Sequence, residues 1–581
     1  MIKLLKFFSK KDWLATFFVV GLIVCQVWLD LKSPDYTSAL TSAVSSGSVT
    51  MNDVWHNGLL MLACTVGSVV CSCVCGFLCA RLAARFARTL RLNIFDKVTS
   101  FFSREMKAFS TPSLITRTTN DVVQIQMFIS IGLQIMIKAP VTAVWAITKV
   151  SATSIEWTMA TLLVVLSIVL AVGVIVFLVI PKFKKSQKLL DNLNEATREN
   201  VSGVRVIRAF NAEDYQEKKF EKANSDLTKN RLFTSKAMGF LMPFVTLCLN
   251  GLTIAIYWIG AVLINQAQIM ERAKIIGNMA AFTQISIQIV MAFIMMIAVF
   301  IVLPRAIVSA KRINEVLKAN SSIVDGNVTY AKETGKVEFR NVSFKYPDGQ
   351  NNVLSDISFV VNKGETVAIV GATGTGKTTL IDLISRFQDA TEGEVLVDGI
   401  NVKDYNGDFL RSKISVASQK AVLFKGTIKN NVTYGSKTKT KEDDKKVTKA
   451  LKIAQADFVE DLEDGLSAKV SQGGTNFSGG QKQRLSIARA IYKDGEILIF
   501  DDSFSALDYK TDMLVRKGIK ESLKDKTIFI VAQRIGTIRN ADKIFVLDNG
   551  KIVGEGRHEE LLEKCPVYKE IALSQLSKEE L

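Results

Sequence analysis

Nine consecutive residues, Gly371-Ala372-Thr373-Gly374-Thr375-Gly376-Lys377-Thr378-Thr379, hold the densest chemistry in the chain. Their glycines let the backbone curl until several N–H groups point at one centre, which suits the oxygens of β- and γ-phosphates. Lys377 adds a positive charge there, and the Thr378 hydroxyl is the expected ligand for Mg2+. Asp501 ends the apolar run 497–500, where a second Mg2+-coordinating group is expected. Ser478-Gly479-Gly480-Gln481 opens a helical stretch, 485–491, and reads either as a further anion site or as a tight cap.

These groups work only if regular elements hold them. Residues 366–370 read as a strand running into the glycine loop, and 380–385 as a helix leaving it, which is the strand–loop–helix context that a phosphate loop requires. The run 497–500 reads as a buried strand. Strands and helices alternate from 336 to 581, predicting an α/β P-loop domain. Residues 321–335 read as a polar linker, and 1–320 have a different texture.

The chain has 581 residues, too many for one core, since cores stop growing near ~250–300 residues. It is 48% hydrophobic and 22% charged, which argues against disorder, and its mean hydropathy of +0.22 directs attention to membrane spans. Six apolar stretches centre on 13–31, 59–83, 128–150, 157–180, 240–264 and 276–303, each near the roughly 20 residues that a crossing needs. The fold class expected is therefore multi-domain: an all-α six-helix transmembrane domain followed by the α/β domain. Lysines 3, 6, 10 and 11 precede the first span, but no small-residue cleavage site follows, so it reads as an uncleaved helix.

The net charge is +17, and its placement decides its meaning. Basic residues crowd into 181–238 and 81–117, whereas 32–51 carries one Lys and one Asp. By the positive-inside bias, both termini and the long connections face the cytoplasm, and no nucleic-acid partner is needed to explain the charge. Helical spacing continues through 85–125 and 184–236, so the helices are expected to leave the bilayer and turn back near 109–114 and 210–215. Eight cysteines make no disulfide framework, and Cys71, Cys75 and Cys79 share a helical face that suits packing better than metal. Lys138 inside a span marks a substrate or proton site, or else snorkels to the inner interface. Gln284, Gln288, Asn278 and Thr283 either line a cavity or bond neighbouring helices.

Taken in order along the chain, these residues resemble the ATP-binding cassette (ABC) transporters, specifically half-size exporters of the multidrug-resistance type. The resemblance spans nearly the whole sequence. It implies that Tyr346 stacks on adenine, and that Gly371 to Thr379 is the Walker A loop. Gln419 matches the glutamine that contacts Mg2+, and Phe477 to Gln481 the signature motif, with Phe where Leu is usual. Asp501 matches the Walker B aspartate, Ser505-Ala506-Leu507-Asp508 the D-loop, and 109–114 and 210–215 the coupling helices. ATP and Mg2+ are the implied ligands. Because each ATP in this family sits between two nucleotide domains, a second half-transporter is the implied partner.

Two departures from that pattern meet at the γ-phosphate. Asp502 stands where the family places a glutamate base, and Gln533, in Val531-Ala532-Gln533-Arg534, stands where it places a histidine. Asp is one methylene shorter, and a misplacement of about 1 Å can cost about 10²-fold in rate. Gln hydrogen-bonds but cannot hold a proton as imidazole does. The expectation is a site that binds ATP and hydrolyses it poorly, while Ser478, Gly479, Gly480 and Gln481 serve a competent site on a different partner. That describes the degenerate-site subunit of a heterodimeric bacterial exporter of lipophilic or amphipathic small molecules, embedded among plasma-membrane lipids. The alternatives are a slow homodimeric exporter using Asp502, and a regulatory or gated protein that binds ATP without pumping.

Overall fold

The computed structural model describes residues 2–47, 49–332, 334–347, 349–436 and 441–575. Position 333, in the expected linker, lies outside the described residues. The chain divides into two compact units, Met1–Thr99 with Ser110–Ala319, and Ser100–Phe109 with Asn320–Leu581.

Helices dominate the first half of the chain: α1 (Lys10–Ser45), α2 (Met51–Thr99), α3 (Ser103–Phe109), α4 (Thr111–Thr118), α5 (Asn120–Met127), α6 (Leu133–Ser151), α7 (Ile155–Ser202), α8 (Val204–Ala209), α9 (Glu213–Gln266) and α10 (Ile269–Lys318). All but α3 belong to the first unit. Six stretches, Lys10–Ser45, Met51–Thr99, Thr111–Ser151, Ile155–Ser202, Glu213–Gln266 and Glu271–Ile297, are long and apolar enough to cross a membrane. They contain or overlap the six stretches expected from sequence. Val27, Leu31, Ala146, Trp157, Phe282, Ile285 and Ile289 pack into the interior. Phe17, Leu163, Phe177 and Trp258 instead stay 68–79% exposed. Such a surface needs hydrocarbon around it.

The expected segment 109–114 covers the break at Ser110 between the short helices Ser103–Phe109 and Thr111–Thr118, and 210–215 covers the break between Val204–Ala209 and α9. Local breakers explain these turns. Ser110 takes a left-handed φ of 57°, and Pro112 then starts α4, where its missing N–H costs nothing. Gly203 ends α7, and Asn211 at φ 47° closes the second short helix. The Lys138 ammonium meets Asp30 of α1 at 3.4 Å. Asn278 meets Ser38 and Gln288 meets the Asp30 carbonyl, so these two act between helices, while Thr283 bonds its own helix at the Met279 carbonyl. Cys75 and Cys79 pack on Val19 and Ile23.

The second unit carries the strands β1 (Val337–Phe344), β2 (Leu354–Val361), β3 (Thr366–Val370), β4 (Glu392–Val397), β5 (Ile400–Asn401), β6 (Ile414–Ala417), β7 (Gly426–Thr427), β8 (Lys469–Val470), β9 (Ile497–Asp501), β10 (Thr527–Val531), β11 (Lys543–Asp548) and β12 (Lys551–Gly556). The order β12-β11-β3-β10-β9-β6 forms the main sheet, and β2-β1-β4-β5 an antiparallel one. Strands β3, β6, β9 and β10 run parallel, with Val531 beside Asp501 and Ala417 beside Phe500. β9 and β10 are buried along their whole length, which explains why they read as continuous apolar runs rather than alternating ones. The chain segments leaving these four strands therefore emerge side by side at one sheet edge. Ligands of open α/β sheets bind at that edge.

Candidate nucleotide site

The glycine loop follows β3, and the helix Lys377–Ile384 follows the loop. Gly374 and Gly376 hold φ of 86° and 99°, which a side chain would strain. At Gly376 a Cβ would also meet the Val353 carbonyl at 3.0 Å. Thr375 Oγ1 donates to the Ala372 carbonyl at 3.0 Å, closing the loop from within, while Thr373 is exposed on it. Lys377 Nζ donates to the carbonyls of Gly371 and Ala372 at 2.9 and 2.6 Å. Burial pulls the Lys377 pKa down, and the neighbouring Asp502 and Asp501 oppose that pull.

Strand β9 delivers the two carboxylates. Thr378 Oγ1 lies 3.2 and 3.1 Å from the two Asp501 oxygens. This pairs a hydroxyl with a carboxylate, the hard oxygen donors that Mg2+ takes alongside substrate phosphates. Burial pushes the Asp501 carboxyl up, and the adjacent Asp502 adds to the push. Asp502 itself is 9% exposed at φ 45°, a left-handed conformation that Asp tolerates better than most residues. Its Oδ2 accepts from Gln419 Nε2 at 3.3 Å and from Gln533 Nε2 at 3.1 Å. One carboxylate oxygen is thus shared by two neutral amides, delivered from the segments after β6 and β10.

Tyr346 stands beside the loop, its hydroxyl 3.1 Å from Thr379 Oγ1. Lys107 of α3 places its ammonium 4.8 Å over the Tyr346 ring. Ser478 caps the helix Gly479–Lys493 through a reciprocal box with Gln481, at 2.9 and 3.3 Å. So the tight cap expected as one reading of this segment is present, and Ser478 and Gly479 remain exposed at its tip, with Gly480 partly covered. Phe477 packs against Phe458, centroids 6.1 Å apart. Asp508 caps the helix Tyr509–Ser522 by accepting from the Thr511 N–H at 3.0 Å, a bond that lowers its pKa.

Two positioning residues escaped the sequence reading. Gln575 accepts from the Ile535 N–H at 2.9 Å and donates to the Gln533 carbonyl at 2.7 Å, so its amide fixes the backbone around Gln533. Arg489, on the helix behind Ser478, donates to the carbonyls of Asn431 and Val422 and to Asn431 Oδ1 at 2.8–3.0 Å. Its guanidinium lies 5.7 and 5.6 Å from the centroids of Phe424 and Tyr434, which stack on each other at 4.5 Å. Neither residue belongs to a motif, and only the folded geometry identifies them. Arg489→Ala leaves those acceptors short of a charged donor and should cost about 2–3 kcal/mol. Denaturant melts of the full-length protein would read this loss, and Arg489→Lys should not recover it because one ammonium cannot reproduce the fork.

Asp382 is a second expectation. Burial and nearby Asp501 push its pKa up to about 6, while Lys107 pulls it back. The folded chain therefore holds a proton that the unfolded chain has released between about pH 4 and 6, and stability falls as pH rises through that window. Asp382→Asn should raise the unfolding temperature of the nucleotide unit by about 2–6 °C at pH 8 and leave it nearly unchanged at pH 4.

Comparison with known proteins places this geometry. Residues 354–505 match the ABC transporter family, and residues 16–293 match the ABC transporter transmembrane region. An ABC transporter ATP-binding protein of Mycobacterium tuberculosis is 39% identical over 93% of each chain. The ABC transporter ATP-binding protein YfiB of Bacillus subtilis is 32% identical over 91% of each. The ATP-dependent lipid A-core flippase of Pseudomonas aeruginosa is 31% identical, covering 81% of this chain and 77% of its own. Among solved structures, a bacterial Atm1-family ABC exporter with ATP bound superposes with a TM-score of 0.79 at 22% identity, over 98% of this chain and 99% of that one.

Proposed function

We propose that this chain, which belongs to the ABC transporter family, is the degenerate-site subunit of a heterodimeric ATP-driven exporter of amphipathic compounds in the plasma membrane. One observation carries the reading. At the position of the expected base, the Asp502 carboxylate oxygen is held by two amides, Gln419 and Gln533, neither of which can take its proton.

The binding half of the site is intact. Lys377 and the loop N–H groups would hold the phosphates of ATP, Tyr346 would receive the adenine, and Thr378 with Asp501 would hold Mg2+. Bound Mg2+ supplies charge neutralisation to the phosphates. The catalytic half is short by design: Asp502 is one methylene from where a longer carboxylate would orient water, and Gln533 anchors Asp502 rather than relaying a proton. ATP held here clamps the dimer, while the exposed Ser478–Gln481 tip completes the partner's site. The cargo reading is supported by the largely apolar spans and by a relative named for flipping lipid A-core.

The composition of the native assembly tests this proposal. Gentle extraction of the tagged chain should yield one partner of similar size with Glu and His at the matching positions. Copies of this chain alone would mean that Asp502 and Gln533 suffice in both sites.

A further inference from the structure

Three helices of the first unit, α7, α9 and α10, surround a hollow of about 470 Å3. Its walls include Phe183 and Ser186 of α7, Arg231, Ser235 and Met238 of α9, and Arg305 of α10. Beside it α7 and α9 are pinned together, since Asn230 Nδ2 donates to the Lys182 carbonyl at 2.9 Å and the Lys182 ammonium stands 5.1 Å over the Phe233 ring. The apolar runs of these helices end at 180, begin at 240 and end at 303. Phe183, Met238 and Arg305 therefore lie two or three residues outside them, about 3–5 Å at 1.5 Å per residue. That is the depth of the headgroup layer, which adds roughly 5–8 Å to each side of a hydrocarbon core about 30 Å thick. Arg231 is nine residues from its run, about 14 Å, so the hollow leads from the headgroups into the water beyond.

No acid balances the charge at this level. Residues 181–190, 228–239 and 300–310 carry eight Lys and Arg and no Asp or Glu. Asp191, the first acid past that stretch of α7, accepts from Gln187 Nε2 at 3.3 Å and does not line the hollow. The ion pairs that these helices make among the described residues are Lys219–Glu199, Arg208–Glu213, Arg312–Asp121 and Arg117–Glu315. Arg231 and Arg305 belong to none of them, and both are exposed. A guanidinium fork matches phosphate oxygens with two parallel hydrogen bonds, and two such forks open into one hollow. By the positive-inside bias this end of the helices faces the cytoplasm, where basic pockets between spans receive acidic lipid headgroups.

We propose that this hollow seats the phosphodiester headgroup of an anionic phospholipid of the cytoplasmic leaflet, held by Arg231 and Arg305, with the Ser186 and Ser235 hydroxyls as further donors. A zwitterionic headgroup has the same phosphate but brings an ammonium among eight cations, so it is disfavoured. The chains of the lipid stay in the bilayer, past Phe183 and Met238. The site belongs wholly to the helical unit, and it stands whichever subunit hydrolyses ATP and whatever compound is exported.

Native mass spectrometry tests this on the full-length protein, in the assembly in which it is extracted, with mixed micelles of phosphatidylglycerol and phosphatidylcholine. Each basic contact at a membrane surface is worth about fivefold, so phosphatidylglycerol should be retained roughly tenfold or more over phosphatidylcholine. Arg231→Gln with Arg305→Gln should abolish most of that preference. Lys188→Gln with Lys229→Gln removes the same charge from the same helices outside the hollow, and should change the preference less than about twofold. Equal losses in the two double variants would mean that the whole basic belt attracts the lipid, and would overturn the site. Equal retention of both lipids by the wild type would overturn it as well. Millimolar inorganic phosphate should leave the bound phosphatidylglycerol in place, whereas displacement would reassign the hollow to a soluble anion. Should the arginine variant fail to fold, the preference of the wild type and the phosphate competition still decide.

Discussion

Replacing Asp502 by Glu and Gln533 by His together should raise ATP turnover at this chain's own site by about 10²-fold or more, whereas Asp502→Glu alone should gain less than about fivefold. The inequality follows from geometry. Asp502 Oδ2 is the common acceptor of Gln419 and Gln533, so a lengthened carboxylate at 502 still meets the Gln533 amide. Residue 502 also sits at φ 45°, where Glu is less at ease than Asp, at a cost of roughly 1 kcal/mol. Histidine at 533 adds a group that exchanges a proton near neutral pH and leaves the new carboxylate free to orient water. Phosphate release from the assembled transporter, with the partner's own site disabled, measures both variants. A large gain from Asp502→Glu alone would locate the whole defect in one missing methylene.

Lys377→Ala should weaken ATP binding by about 10²-fold or more, with little loss in global stability. Lys377 is 8% exposed, and its ammonium lies within the loop, bonded to the Gly371 and Ala372 carbonyls. On binding it exchanges two neutral acceptors for phosphate oxygens, and charge-assisted bonds of that kind are roughly twice as strong as neutral ones. A tenfold loss corresponds to about 1.4 kcal/mol, so removing one buried ammonium from a triphosphate accounts for the size expected. Lys377→Arg should rescue little, because a planar guanidinium does not fit a loop closed around a single Nζ. Equilibrium dialysis with labelled ATP reads both variants. Retained affinity in Lys377→Ala would mean that the backbone N–H groups alone hold the phosphates.

Much of the architecture was legible because its signals are strong and local. Roughly 20 apolar residues in a row announce a span whatever surrounds them, and a glycine loop between strand and helix announces a phosphate site. The parallel order β6-β9-β10-β3 then explains why Gln419, Asp502, Gln533 and Lys377, distant in sequence, share one edge. The turning points were legible only to within a few residues, because helical periodicity runs straight through short breaks. Ser110 and Asn211 turn the chain with left-handed backbones, which many sequences tolerate without a glycine. Asp30 went unnoticed for another reason. Its partner Lys138 is 108 residues away, and only the packing of α1 against α6 joins them. Gln575 and Arg489 work through side-chain bonds to distant carbonyls, for which no spacing rule exists.

The most direct test asks which nucleotide this chain holds while the transporter works. Photo-crosslinking with azido-ATP labelled on the α-phosphate, during turnover and in the presence of Mg2+, captures the nucleotide that this chain holds. The nucleotide released from this chain should be mainly ATP while the partner's chain carries ADP. ADP as the main species here would show that Asp502 and Gln533 support hydrolysis, and would contradict the account.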